Sequence, residues 1–424
     1  MTLCLQHAFF VYSTVIPLLL FDSRLLLYYN VQVSLWVFVG IFQKVEEQEM
    51  AKILITATVQ SHIAQFHKPV IRMLQEMGHQ VEVAARNNLH EKKNLTLTEP
   101  DMIHEVNFCR NPFSLQIFPA YRQLKKVIEA GGYDVVHCNT PVAGILTRLA
   151  CRKLRKQGKI KVFYTAHGFH FYQGAPKQNW LLWYPIEKIF ARMTDVLITI
   201  TDEDYRLASE KFRCTVVRHH GVGANSKKFY IMDESEKAKI RNEYGIGADT
   251  KIVMNIGELL PNKNQKTAIE AMKTVVEKCP NSLLLIAGNG PEQDNLLQIA
   301  EKNGISEHVR LLGYTRDVHK LLNICDVLVA CSFREGLPLN LMEAMLCGKP
   351  IIASNNRGHR ELVDEERTGY LVEPNDSLMY AERIYQIFSS EKDYSKQAVQ
   401  KVRPFVDINV QNELRELYKL LKEQ

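Results

Sequence analysis

Two glutamates stand eight residues apart in the segment SFREGLPLNLMEAMLCGKP, residues 332–350, on either side of a Gly-Leu-Pro turn. The apolar run DVLVACS just before them predicts a strand, so Glu335 and Gly336 follow its carboxyl end. A helix is predicted to begin near 337–339, which puts Glu343 about one turn inside it. The free amides of that first turn and the helix dipole favour a bound phosphate.

The two carboxylates restrict what such a site can bind. Carboxylates repel phosphate, but they are strong acceptors for hydroxyl groups. The predicted ligand therefore has phosphate in its middle and hydroxyl groups at both ends, as a nucleotide sugar has. Lys263, in the loop GELLPNKNQ after another predicted strand, would supply a cation beside the diphosphate. The alternative is that Glu343 is a solvated helix residue and that Glu335 and Lys263 are ordinary surface residues.

Short apolar segments alternate with amphipathic helices from residue 52 onward, which is typical of parallel strands joined by crossover helices. The predicted strands occupy 52–58, 80–85, 134–139, 161–168 and 195–200 in the first half, and 251–257, 282–288, 308–313, 326–332 and 350–354 in the second. The sequence thus predicts an α/β protein with two doubly wound, Rossmann-like domains that face each other across a cleft. Ligands of such sheets bind at the carboxyl ends of the strands.

We place the domain boundaries by the same pattern. The first domain is predicted at 51–222 and the second at 223–405, with a hinge near 219–226. The last segment, 406–424, predicts an amphipathic helix that could pack on either domain.

The first fifty residues form an apolar N-terminal extension of a different kind. Its second apolar run, LLLYYNVQVSLWVFVGIF at 25–42, is barely long enough to cross a bilayer, which takes about 20 residues. A basic start and a small-residue cleavage site, which mark a signal peptide, are not evident. We favour a misassigned start with Met50 as the native first residue, and a membrane anchor is the alternative.

The positive charge is confined to one region. Residues 51–222 contain 24 Lys and Arg against 14 Asp and Glu, whereas the segments on both sides are slightly acidic. The segment 148–161 holds seven cations and no acid. It predicts either a solvated helix end or a basic face that rests on anionic lipid. Nucleic acid is disfavoured because aromatic residues are not interleaved with these cations.

The nine cysteines are scattered without a Cys-x-x-Cys pair, which indicates a reducing, cytoplasmic compartment. No His/Cys cluster has metal-ligand spacing in the sequence, so no metal and no other cofactor is predicted.

Asp202-Glu-Asp204 imitates an Asp-x-Asp metal motif, but it follows Thr201 at a predicted helix start, where capping explains it better. His137 and His219-His220 are predicted to be structural.

Several segments together resemble one family. SFREGLPLNLMEAMLCGKPIIAS, GELLPNKNQ, LLLIAGNGPEQDNL, LLGYTRDV, AHGFHFY and DVVHCNTPVAGILTRLA look like segments of the family-4, retaining glycosyltransferases of GT-B architecture. The resemblance spans about 51–424 and is greatest to bacterial enzymes of capsule and exopolysaccharide assembly. It implies transfer of a sugar from a nucleotide-sugar donor, with a UDP-sugar favoured and GDP open. The implied acceptor is a glycan on a polyprenyl diphosphate, which would keep the enzyme at the inner face of the plasma membrane.

The resemblance also implies residue roles. It places Glu335 on the donor sugar, Glu343 on the nucleotide ribose and Lys263 on the diphosphate. The amides of Gly336 and Leu337 would lie near the phosphate or the sugar, and His167 would lie at the reaction centre. The implied chemistry is front-face substitution, in which a donor phosphate oxygen takes the acceptor proton.

Two departures from the family pattern affect these roles. Many relatives have arginine where this chain has Glu258, so charge neutralisation at the diphosphate would fall on Lys263, the helix amides and a further cation. Many also have a Gly-Gly loop after the first strand, where this chain has TATVQSH at 56–62. Ser61, His62 and His67 are the candidate acceptor-side residues in and after that loop.

Two other classes of function remain open. A nucleotide-sugar epimerase of the same architecture would act on the donor alone and would need acid and base side chains that the sequence does not disclose. A non-catalytic partner subunit of a transferase would tolerate loss of the donor site, and the intact Glu335, Glu343 and Lys263 disfavour that reading.

Overall fold

The computed structural model describes residues 50–91, 95–109, 111–112 and 114–419. The apolar extension predicted at 1–50 lies outside the described residues except for Met50. Within the described part of the chain, no helix is both long enough and apolar enough to cross a bilayer.

Two parallel sheets organise the described chain. The first has seven strands in the order β3-β2-β1-β4-β5-β6-β7, and the second has six in the order β10-β9-β8-β11-β12-β13. Every neighbouring pair is parallel. The strands of the first sheet are β1 (Lys52–Val59), β2 (Gln80–Arg86), β3 (Met102–Glu105), β4 (Val135–Asn139), β5 (Lys161–Ala166), β6 (Val196–Thr199) and β7 (Thr215–Arg218). Those of the second are β8 (Lys251–Ile256), β9 (Ser282–Ala287), β10 (Val309–Gly313), β11 (Val327–Ala330), β12 (Ile351–Ser354) and β13 (Gly369–Val372).

Helices cover both faces of each sheet. Those that follow the strands of the first sheet are α1 (Gln60–Phe66), α2 (Lys68–Glu76), α3 (Ile117–Gly131), α4 (Pro141–Lys156), α5 (Lys177–Ala191) and α6 (Asp202–Lys211). The second sheet is flanked by α7 (Glu234–Glu243), α8 (Gln265–Lys278), α9 (Gln293–Lys302), α10 (Val318–Ile324), α11 (Leu339–Leu346), α12 (Arg357–Arg360), α13 (Ser377–Phe388) and α14 (Ser395–Val402). The last helix is α15 (Asp407–Lys419).

These sheets confirm the predicted α/β class with two doubly wound domains. In both sheets the strand order reverses between the first and the fourth strand, which is the switch point where such folds bind ligands. Central strands such as β4 and β11 are buried along their whole length, because helices cover both of their faces.

Three strands escaped the sequence analysis. β3, β7 and β13 each have four residues and lie at the edges of their sheets. No residue of β3 or β7 is fully buried, so neither shows the continuous apolar run that marks a central strand.

The C-terminal helix packs against the first sheet's domain. Leu414 and Tyr418 of α15 join the hydrophobic core that covers one face of that sheet. The Tyr418 hydroxyl bonds His137 Nδ1 at 2.8 Å, and Glu413 accepts a hydrogen bond from the His220 ring at 2.5 Å. His137 and His220 thus hold structural positions, as predicted.

Helix α4 contains the first part of the basic segment 148–161, and the first cation of that segment is not on the surface. Arg148 is 1% exposed and donates two hydrogen bonds of 3.0 Å to Glu187 of α5. Its guanidinium also lies 4.1 Å from the centre of the Tyr164 ring. Arg148 therefore belongs neither to a solvated helix end nor to a basic lipid-facing surface, because the arginine closes the contact between two helices. Arg152, Lys153, Lys156 and Lys159 are exposed.

The Arg148–Glu187 pair provides a test of this packing. Arg148→Ala should lower the free energy of unfolding by about 3–5 kcal/mol, because it leaves the Glu187 carboxylate buried without its partner. Arg152→Ala, one turn further along the same helix and exposed, is the control and should change it by less than about 0.5 kcal/mol. Urea unfolding followed by circular dichroism measures both, and an equal effect of the two variants would contradict a buried ion pair.

Candidate functional site

The loops at the carboxyl ends of the two sheets face each other and enclose a cavity of about 200 Å³. The first sheet contributes the loop after β5, and the second contributes the loops after β8, β11 and β12. The lining residues are His167, Gly168, Phe169, His170, Asn262, Arg334, Glu335, Gly336 and Arg357. Most of them are polar or charged, which suits a ligand with hydroxyl groups and charge better than an apolar one.

Lys263 and Glu335 meet at this cavity although 72 residues separate them. The Lys263 ammonium lies 2.7 Å from Glu335 Oε1, and both side chains are largely shielded from solvent. Lys263 ends a short 3₁₀ turn, Pro261–Lys263, after β8, and Glu335 follows β11. Because β8 and β11 are hydrogen-bonded neighbours, their carboxyl ends bring the two loops together.

Gly336 lies where the backbones of the two domains come closest. A Cβ atom at this position would stand 2.4 Å from the carbonyl oxygen of His167, which is closer than any side chain permits. The same would hold at Gly358, whose Cβ would stand 2.3 Å from the Gly336 carbonyl oxygen. Glycine at 336 is therefore required for the observed distance between the domains.

Glu343 lies inside α11, one turn past its start, as the sequence predicts. Burial raises the pKa of its carboxyl group to about 7, and the nearby Lys228 opposes this only in part. Among the described residues no cation pairs directly with it, so this carboxyl group is unusual for the interior of a helix. It is suited to accept hydrogen bonds from ligand hydroxyl groups, whereas a solvated surface glutamate would keep its ordinary pKa.

Three histidines cluster beside the cavity. His62 lies on α1, His67 lies between α1 and α2, and His167 follows β5. The ring of His62 lies 5.1 Å from the rings of both His67 and His167, centre to centre. Burial lowers the pKa of His62 to about 4 and holds the pKa values of His67 and His167 well below the usual range. All three imidazoles are thus neutral at pH 7.

The remaining candidates from the same loops have defined partners. The Ser61 hydroxyl lies 2.9 Å from Asn88 Nδ2, and the Ser61 amide donates to Asn88 Oδ1 at 3.0 Å, so Ser61 fixes the loop before the 3₁₀ turn Leu89–Glu91. The ring of His170 stacks on Trp183 at 4.8 Å. The Glu258 side chain is exposed, and its backbone carbonyl accepts a hydrogen bond from Gln265.

The Asp202-Glu-Asp204 segment caps α6, as predicted, but it also joins the two domains. The Thr201 hydroxyl accepts a hydrogen bond from the Asp204 amide. Asp204, fully buried, receives a hydrogen bond of 2.7 Å from Arg357 of the second domain. The same guanidinium donates to the Phe169 carbonyl at 3.1 Å, beside the cavity.

Two family descriptions match the chain, one in each domain. "Glycosyltransferase Family 4" matches residues 70–223, and "Glycosyl transferases group 1" matches residues 236–403. EpsD of Bacillus subtilis (strain 168), which has a provisional name as a glycosyltransferase, is 43% identical over 339 residues, covering 80% of this chain and 87% of EpsD. The chain belongs to the family-4 glycosyltransferases of the GT-B type.

A second relative has a name that states its reaction. It is the UDP-Gal:alpha-D-GlcNAc-diphosphoundecaprenol alpha-1,3-galactosyltransferase of Escherichia coli, 30% identical over 275 residues, covering 63% of this chain and 70% of the relative.

Solved structures support the fold of this glycosyltransferase. Sucrose-phosphate synthase from Thermosynechococcus elongatus aligns over 88% of this chain and 99% of its own, with a TM-score of 0.69 at 19% identity. HepE of Anabaena, in complex with UDP and glucose, aligns over 87% and 99%, with a TM-score of 0.67 at 20% identity.

The sequence analysis of this glycosyltransferase missed two arginines of the cavity. Arg334 immediately precedes Glu335 and is exposed, and among the described residues its guanidinium has no ion pair. Arg334 is a candidate for the further cation that the diphosphate would need, because this chain has Glu258 where many relatives have arginine. Arg357 is the second, and its Nε atom is buried without a hydrogen-bond partner in the described structure. Arg334 was recognisable because it adjoins the motif, whereas Arg357 lies 23 positions further on and enters the cavity only through folding.

Proposed function

We propose that this glycosyltransferase moves a sugar from a UDP-sugar to a polyprenyl-diphosphate-linked glycan, with retention at the anomeric carbon and without a metal. The product would be an intermediate of a surface polysaccharide such as a capsule or exopolysaccharide. The observation that carries the proposal is the cavity that is lined both by Glu335 of the second domain and by His167 of the first. A donor bound by one domain would present its sugar there to an acceptor bound by the other.

The donor-binding roles follow from the charges around the cavity. Lys263 and Arg334 are the cations for the diphosphate, together with the amides of Gly336 and Leu337 before α11. Glu343 accepts hydrogen bonds from the ribose hydroxyl groups, and Glu335 accepts them from the sugar. Lys263 pairs with Glu335 in the free protein. When the diphosphate binds, the Lys263 ammonium would contact it as well, and part of the Glu335 carboxylate would become free to accept hydrogen bonds from the sugar.

The chemical step needs an electrostatic site more than a nucleophile. In retaining transfer by front-face substitution, the acceptor hydroxyl attacks from the side on which the diphosphate departs, and a donor phosphate oxygen takes the hydroxyl proton. Lys263, Arg334 and the amides before α11 would stabilise the charge that develops on the leaving diphosphate. His167, neutral because burial lowers its pKa, would hydrogen-bond the sugar or the acceptor without repelling developing positive charge at the anomeric carbon.

The acceptor class and the nucleotide are supported by the Escherichia coli relative, whose name states a UDP-sugar and a diphosphoundecaprenol-linked sugar. The surface of the first domain fits such an acceptor. Three exposed cations lie at the end of α4 and a fourth, Lys159, lies just after it. The Arg148–Glu187 pair joins α4 to α5, which exposes Leu181, Leu182 and Ile189. Cations beside exposed apolar side chains are the composition of a surface that rests on anionic lipid.

A panel of UDP- and GDP-sugars tests the reaction. Protein that begins at Met50 should release nucleotide from one UDP-sugar only when a membrane lipid extract supplies the acceptor. Glu335→Gln should lower that release by at least about a hundredfold, since it removes a charged contact to the reacting sugar. Glu301→Gln, at an exposed position of α9, is the matched control and should act like the parent protein.

The same assay separates the other classes of function. Conversion of a nucleotide sugar without lipid extract would favour an epimerase. Failure to bind any donor would favour a non-catalytic partner subunit. Normal turnover by Glu335→Gln would contradict the site assignment even if transfer itself is observed.

Glu343 predicts a pH dependence of donor binding. Its carboxyl group is protonated below its pKa of about 7 and then loses acceptor capacity, so affinity should rise with pH. Between pH 6 and pH 8 the ionised fraction, and with it the association constant for a UDP-sugar, should rise about tenfold. A UDP-sugar is the right probe because its diphosphate does not titrate in this range. Calorimetry should show that Glu343→Gln binds the UDP-sugar more weakly and that its association constant hardly changes with pH. An association constant that rises with pH as steeply as that of the parent would contradict the ribose role.

Lipid vesicles test the membrane contact. A variant with glutamine at the four exposed cations in and just after the end of α4 should bind vesicles that contain phosphatidylglycerol more than about a hundredfold less tightly, since each cation contributes roughly 1 kcal/mol. Those positions are Arg152, Lys153, Lys156 and Lys159. A control variant with glutamine at four exposed lysines of the second domain should co-sediment like the parent. Those positions are Lys266, Lys273, Lys278 and Lys302, and equal loss in both variants would indicate only a net-charge effect.

A further inference from the structure

We propose that His62, His67 and His167 form a binding site for a divalent transition metal, with Zn²⁺ as the best fit, and that the bound metal blocks sugar transfer. Metal binding itself is independent of the proposed reaction, because it needs only the geometry of the three imidazoles. It also differs from a catalytic requirement, since transfer as proposed above uses no metal.

The distances between the ring nitrogens support this site. One nitrogen of each histidine can be chosen so that all three lie within 4.8 Å of one another. The Nε2 atoms of His62 and His67 are 3.3 Å apart. Two nitrogen ligands that are about 2.0–2.1 Å from a tetrahedral Zn²⁺ are themselves about 3.3–3.4 Å apart. Thus two of the three ligands already have the required separation, and the third, on His167, lies within 4.8 Å of both.

The protonation states also suit a metal. Metal ligation requires neutral imidazole, and burial keeps all three rings neutral. Asn139 Oδ1 lies 3.2 Å from His167 Nε2. Because a carbonyl oxygen only accepts, this contact fixes the tautomer with hydrogen on Nε2 and leaves the Nδ1 lone pair available as a ligand. An outer hydrogen bond of this kind is the usual way in which proteins orient a metal-bound histidine.

The three ligands come from different elements of the first domain. His67 is 6% exposed and stands at the junction of α1 and α2, and His167 lies beside the cavity after β5. Three imidazoles leave a fourth position of a tetrahedral ion open, and such a position takes water or an anionic group. A metal on His167 would occupy the imidazole that faces Glu335 across the cavity. We therefore expect inhibition, with Zn²⁺ and the acceptor competing for the same space.

Cobalt(II) tests the site directly, because tetrahedral Co²⁺ has intense visible absorption bands that octahedral aqueous Co²⁺ lacks. Titration of the tag-free chain from Met50 with Co²⁺ alone should give these bands with one equivalent bound, and Zn²⁺ should displace them. His62→Gln and His67→Gln should each weaken binding at least about tenfold, since each removes a ligand. His90→Gln, at an exposed position in the same domain, should leave the titration unchanged.

A ligand-retaining variant guards against misfolding. His62→Cys should keep Co²⁺ binding and should add a near-ultraviolet thiolate-to-cobalt charge-transfer band, because cysteine thiolate is also a ligand of tetrahedral sites. The proposal is overturned if the parent protein shows no saturable tetrahedral spectrum, or if His62→Gln and His67→Gln bind Co²⁺ as tightly as the parent. It is also overturned if His62→Cys, folded by circular dichroism, binds Co²⁺ without the new band.

Discussion

The buried ion pair between Arg357 and Asp204 is the contact that keeps the carboxyl ends of the two sheets face to face. Both side chains are almost completely shielded from water, and they belong to different domains. Burial raises the pKa of Asp204 to about 6 in spite of the arginine, which shows how strongly the contact is desolvated. A charge buried this deeply is tolerated only beside its partner. The ion pair therefore requires the two domains to be close, and the domains stay this close only while the pair is intact.

The cavity depends on that distance. At the observed separation the Gly336 backbone approaches the His167 carbonyl so closely that no side chain fits at 336. Further out, Arg218 bridges Asp202 and Glu361, and Arg360 pairs with Glu203, so acids at the start of α6 face arginines of both domains. Around the buried pair these partly exposed contacts contribute less energy, but they fix the angle at which the domains meet.

The polar groups in and beside the cavity are divided between the domains by charge. The second domain supplies Arg334, Arg357 and Glu335, with Lys263 paired to Glu335. The first supplies His167, with His62 and His67 next to it, and burial lowers the pKa of all three histidines. A charged donor side opposite a neutral acceptor side suits a reaction in which charge develops on the leaving group. Tight packing of the imidazoles has a second consequence, since neutral histidines at these distances are also suitable metal ligands.

The sequence by itself determined the secondary structure of the central strands, the α/β class and the Glu335–Glu343 motif of the second domain. Those features depend on local patterns, namely continuous apolar runs and a glycine and proline at a helix start next to two glutamates. It did not disclose the short edge strands β3, β7 and β13, because each has only four residues, and in β3 and β7 none of them is buried. Only the tertiary structure placed Arg148 in the interior, brought Arg357 to Asp204, and assembled His62, His67 and His167 around one point. Each of these contacts joins residues that are distant in the chain, and their energies come from burial and pairing that exist only after the two sheets have formed and met.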